Sequence, residues 1–186
     1  MDTETREDMV REWYRAYRDE CTGTTARVTV LVRSLRPPPG GHNQRARLGS
    51  SISNATASGE LDTYDVYVLG EELCLCSHCH ALLSETQLHP LVQEAGSWQR
   101  GELSSTGFSE RTVNCSVTGE QYRMLVPPET TLAFYTDDRL AGVFPCESSE
   151  HSFGIESVLS ALEADWGDEL HSEQVTSSGE LSHQTS

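Results

Sequence analysis

Cys74-Leu75-Cys76-Ser77-His78-Cys79-His80 places five soft or borderline donors in seven consecutive residues. Thiolates and imidazoles suit Zn2+, which asks for about four N or S ligands in a tetrahedron. Cys76-x-x-Cys79 has the spacing of half a zinc knuckle. A structural site usually adds a second pair from far along the chain, for which Cys115 or Cys146 with His89 or His151 are the candidates. The alternative is local closure by Cys74, Cys76, Cys79 and one of His78 and His80. Two further readings stay open at this point: a loop of unligated thiols, and a redox role for Cys76 and Cys79. The implied cofactor is zinc or none.

A second group of residues is marked by charge. The chain has 13 basic residues, all arginine, against 29 acids, for a net charge of −16. Yet Cys21–Gly59 contains no Asp or Glu and five arginines, Arg27, Arg33, Arg36, Arg45 and Arg47. A basic segment inside so acidic a chain runs against background composition. Arg33-Ser-Leu-Arg36-Pro-Pro-Pro-Gly-Gly-His42 leads from the end of a strand into a helix. Ligands of open α/β sheets bind outside the carboxyl ends of the strands, and a glycine-flanked helix start attracts anions. Arg33, Arg36, His42 and Arg45 are therefore the candidate anion site, with bidentate guanidinium donors for phosphate or carboxylate. The competing reading pairs these arginines with the protein's own acids. No phosphate-loop or dinucleotide glycine pattern is present.

At −16 the overall field repels nucleic acid unless salt screens it, so DNA could be met only through the 21–59 segment. Trp13, Tyr14 and Tyr17, at helical spacing, read as core, with a protein-docking face as the alternative. No G-x-S-x-G elbow and no H-E-x-x-H pair suggests hydrolysis. The reading is of a non-enzymatic binding or regulatory protein. A nucleic-acid-binding regulator and a zinc or thiol redox protein are the alternatives.

Stepping along the chain, Met9, Trp13 and Tyr17 repeat every four residues and predict a helix over 5–20. Arg27–Leu35 is nearly continuous in apolar residues and predicts a central strand. Residues 42–57 form a helix through Leu48, Ile52 and Ala55, stopped by Gly59, and Tyr64–Leu69 is a second strand. Strand, helix, strand is a βαβ unit with parallel strands. A helix is expected over 85–98, a loop over 99–109, and an alternating hairpin over 111–126. A second hairpin, Thr131–Thr136 and Leu140–Phe144, turns at Asp137-Asp138. A last amphipathic helix carries Ile155, Val158, Leu159 and Leu162.

The order βαβ–α–ββ–α, with prolines just before the second hairpin, makes this an α/β fold of thioredoxin-like or related architecture. The redox Cys-x-x-Cys of that fold would sit in the first strand-to-helix loop, which here has no cysteine. The division expected is an N-terminal helix and linker over 1–25, an α/β domain over 26–165, and a disordered acidic tail over 166–186. No apolar run approaches the roughly 20 residues of a membrane span. No secretory signal opens the chain, so a cytoplasmic location is expected. The acidic surface and exclusive use of arginine point to a salt-loving archaeon.

Val28-Thr-Val-Leu-Val-Arg-Ser-Leu-Arg-Pro-Pro38, Leu61-Asp-Thr-Tyr-Asp-Val-Tyr-Val-Leu-Gly-Glu71 and Leu132-Ala-Phe-Tyr-Thr-Asp-Asp-Arg-Leu-Ala-Gly-Val-Phe-Pro-Cys146 resemble a family of small haloarchaeal proteins, many of them named helix-turn-helix (HTH) domain proteins. The resemblance spans about residues 26–165 of this chain. It implies DNA binding. The residues themselves predict no pair of helices joined by a short turn.

Overall fold

A computed structural model of the chain describes residues 3–84, 88–114, 116–117 and 119–163, without the side chains of 3–6, 80 and 82–84. The expected tail and Cys115 lie outside the described residues.

The centre is a four-stranded sheet ordered β2-β1-β8-β9. β1 (Ala26–Val32) runs parallel to β2 (Thr63–Val68) and antiparallel to β8 (Thr130–Thr136), which pairs with β9 (Arg139–Phe144). β1 is flanked on both sides and buried at every position but Arg27, as its unbroken apolar run requires. Between β1 and β2 lies α2 (Gly41–Ser58). Gly59 ends it with φ of 81°, donating its N–H to the carbonyls of Ala55 and Thr56. Few residues other than glycine adopt that backbone at low cost. β2 is an edge strand, and its Tyr64, Val66 and Val68 side chains are exposed. The sequence anticipates the strand but not this exposure.

Helices cover both faces of the sheet. Successive residues of β8 point to opposite sides. Phe134 meets the rings of Trp13 and Tyr17 on α1 (Thr3–Glu20), at 5.2 and 5.4 Å between centroids. Tyr135 turns the other way and donates its hydroxyl to Glu94 of α4 (Leu88–Gly96) at 3.3 Å. Residues 155–163 are helical (α5) and bury Ile155, Val158, Leu159 and Leu162. Arg47 ties α2 to α5 through Glu156 and Glu163, both at 2.5 Å.

The seam between α1 and the sheet is closely packed. Trp13 lies flat against β9 where Gly142 leaves room, since a Cβ at 142 would stand 2.1 Å from the indole. Trp13 also meets Phe144 edge-on at 4.7 Å. Tyr17 donates to the carbonyl of Tyr135 at 3.0 Å, and Tyr14 to the buried carboxylate of Glu60 at 2.9 Å. Burial first, and Glu60's charge second, push the Tyr14 hydroxyl well above its usual range, so it remains a donor.

Two smaller sheets complete the fold. One is ordered β3-β7-β6, from Leu73–Cys74, Gln121–Val126 and Ser109–Asn114. The other is ordered β11-β10-β5-β4, from Ser152–Phe153, Cys146–Glu147, Leu103–Ser105 and Gln99–Arg100. The region expected as a loop over 99–109 therefore holds the β4–β5 hairpin. Val117, expected to extend a strand, sits in the turn beyond β6 and is exposed. The helix expected over 85–98 is the shorter α4, and a helix the sequence reading did not expect, α3 (Ser77–Ser84), precedes it, with 85–87 between them outside the described residues. A cis peptide precedes Pro145, just after β9. Among the described residues, no helix is long and apolar enough to cross a membrane.

Candidate functional site

The cysteine cluster is built where β3 gives way to α3. Leu73 is buried and pairs with Leu125 of β7, and Cys74 with Met124. One more bond, from Leu75 N–H to the Arg123 carbonyl at 2.8 Å, extends the pairing to the doorstep of the helix. Cys76 then precedes the first helical residue, Ser77. Its Sγ accepts the Cys79 N–H at 3.4 Å, filling the place of a helix cap. Cys79 sits one turn in, so its thiol returns toward Cys76. The Sγ atoms of Cys74, Cys76 and Cys79 all lie within 4.8 Å of one another.

The three thiols are half-buried and not equivalent. The Cys79 N–H, followed by the neighbouring thiols, holds Cys76 below the ordinary thiol range. Cys79 is pushed up to about 11, chiefly by Cys76 and then by Cys74. Of these two, Cys76 holds its proton the less tightly.

Of the five donors read from the sequence, the fold unites three. His78 lies exposed in the first turn of α3, and the side chain of His80 falls outside the described residues. Among the described residues no distant second pair joins the three thiols, and Cys115 lies outside those residues. His89 is buried in α4, and Cys146 is buried in the core, which lifts its thiol to about 12. His151 stacks on Phe153 instead, at 6.2 Å. Among the described residues, only Cys74, Cys76 and Cys79 gather with metal-ligand geometry.

The anion candidates are dispersed by contrast. Arg33 points its Nε to Glu71 at 3.7 Å. Arg45 donates to the carbonyls of Ser34 and Leu35 at 2.9 and 3.0 Å, fastening the loop from within. Arg36 and His42 are exposed. Elsewhere in the segment, Arg27 reaches Asp65 at 3.6 Å and covers the Tyr135 ring at 4.5 Å. The 21–59 segment holds no acids of its own, yet the fold supplies Asp65, Glu71, Glu156 and Glu163 from outside it.

An open cleft of about 950 Å³ lies at the far end of the sheet, lined by Glu20, Glu94, Asp137, Asp138 and Arg139 among others. Arg100 and then Arg139 hold the Glu20 carboxylate below its usual range. Its acidic walls disfavour anions.

What sequence reading misses is a helix pair. α3 has 8 residues, α4 has 9, and only 85–87 separate them. Two short helices across a turn of about three or four residues is the spacing of a helix-turn-helix. A family of proteins described as a helix-turn-helix domain matches residues 20–167. The chain belongs to this family. The matched helix-turn-helix span takes in the cysteine cluster, both helices of the pair and the whole central sheet. No curated protein and no solved structure matches the chain.

Proposed function

We propose that the protein is a nucleic-acid-binding regulator of helix-turn-helix type, with α3 and α4 as the helix pair. The observation that carries this reading is the family match over residues 20–167, which contains two short helices three residues apart. α4 buries His89, Val92 and Ala95 against the sheet and leaves Pro90, Gln93 and Glu94 outside. Gln93 has the amide edge that reads adenine with two hydrogen bonds in the major groove.

Charge makes this an unusual binder. Ser77–Gly96 contains no arginine or lysine, so neither helix brings a cation to the phosphates. Affinity then comes from base-edge contacts rather than from release of counterions. The salt dependence is expected to be shallow, because the slope of log K against log salt is about −0.9 per phosphate neutralised.

The test is selection from a random duplex pool at low and high KCl, followed by anisotropy titrations. The expected result is an enriched sequence bound at least about tenfold more tightly than its scrambled form, with that preference lost in Gln93→Ala. A log–log salt slope shallower than about −3 accompanies it. No enriched sequence at either salt, or an unchanged preference in Gln93→Ala, overturns the assignment.

A further inference from the structure

We propose that Cys74, Cys76 and Cys79 form a zinc site of three thiolates that clamps the end of β3 to the first turn of α3. The site stands independently of whether α3 and α4 meet nucleic acid.

Geometry is the first argument. In a tetrahedral site with Zn–S of about 2.3 Å, neighbouring sulfurs are about 3.8 Å apart. The three Sγ atoms already lie within 4.8 Å of one another. Side-chain rotations that move each sulfur by about 1 Å or less bring them to a common ion. No backbone movement is needed, because β3 is fixed by its pairing with β7 and Cys79 by the helix.

The donor set is the second argument. Three sulfurs select thiophilic ions and exclude Mg2+ and Ca2+, which take oxygen. Zn2+ has no electronic preference that three sulfurs and one outside donor would violate. The Cys79 N–H already points at Cys76 Sγ at 3.4 Å, and such bonds hold a ligand thiolate in position. On binding, each thiol hands its proton to solvent, and one coordination place remains for a donor other than these three.

The third argument is what otherwise holds this corner. Within Leu73–Cys79 only Leu73 is buried; Ser77 and His78 are exposed and the rest are half-buried. A stretch that cannot bury apolar surface gains its order from a cross-link or a metal in many small folds. Here three ligands from two elements supply that link.

The full chain, purified under reducing conditions, is loaded with Zn2+, freed of excess, and measured by elemental analysis and thiol titration. Co2+ is then substituted for the optical spectrum. About one metal per chain is expected. Zinc should shield three of the thiols from the titrant until a chelator is added. The Co2+ form should show thiolate-to-metal charge transfer and the intense visible bands of a tetrahedral ion. Cys76→Ser and Cys79→Ser should bind at least about tenfold more weakly, whereas Cys21→Ser, outside the cluster, should bind as the parent does. The proposal fails if the parent chain retains no zinc, if Co2+ gives no charge-transfer band, or if chelator releases no additional thiols. These readouts on the parent chain decide the matter even if a variant does not fold.

Discussion

At the α1 seam, Trp13, Tyr14 and Tyr17 meet the sheet through ring faces, edges and two buried hydroxyls. At the β3–α3 corner, Cys74, Cys76 and Cys79 meet only one another, half in solvent. Both bring a helix against a strand. The seam does so by removing apolar area from water, at about 25 cal/mol per Å², and by matching shapes closely. The corner offers little area to remove, and beyond its pairing with β7 its order falls, on the zinc proposal, to bonds with sulfur. One region should therefore answer to changes in size and the other to changes in chemistry.

The largest expected effect is Trp13→Ala. Losing a ring packed on Tyr17, Phe134 and Phe144 should lower stability by about 3–5 kcal/mol, read by chemical denaturation. A cost below about 1 kcal/mol would remove the seam from the core. Gly142→Ala comes next. The added methyl meets the indole where none fits, and overpacking of this kind costs about 1–3 kcal/mol. Cys76→Ser, measured with chelator present, should change stability by no more than about 0.5 kcal/mol, as for other surface positions. A loss as large as that at Gly142 would erase the contrast. The smallest effect is kinetic: with metal removed at about pH 8, an alkylating reagent should modify Cys76 before Cys79, since the thiolate is the nucleophile. Peptide mass mapping gives the order, and equal rates would contradict the inequivalence of the two thiols.

The parts of this fold that were legible in the sequence are those where burial writes a pattern. β1 reads as buried on both faces because Val28-Thr-Val-Leu-Val32 has no polar alternation to keep a face wet. α1 reads as a helix because its aromatic residues recur every three or four positions. α3 leaves no such mark: Ser-His-Cys-His-Ala-Leu-Leu-Ser has chemistry in place of periodicity, and it reads as a cysteine loop ahead of the helix expected over 85–98. β4 and β5 have two and three residues, too few for an alternation to show.

The candidate site divides in the same way. The three thiols could be grouped from spacing alone, because one helical turn and one strand residue fix their separations. The partners of the arginines could not. Arg47 finds Glu163 at 116 positions away, and local charge counts carry no trace of such a pairing. The segment that reads as a basic loop is largely neutralised once the chain is folded.

The family match starts at residue 20, whereas the helix bearing Trp13, Tyr14 and Tyr17 ends there. The matched span thus leaves out the helix that closes this core. Cut at that point, the remainder would present Phe134 and Phe144 to water and leave the Glu60 carboxylate without its tyrosine hydroxyl. Thr3–Glu20 lies almost wholly outside the matched span and yet supplies the rings on which this core closes.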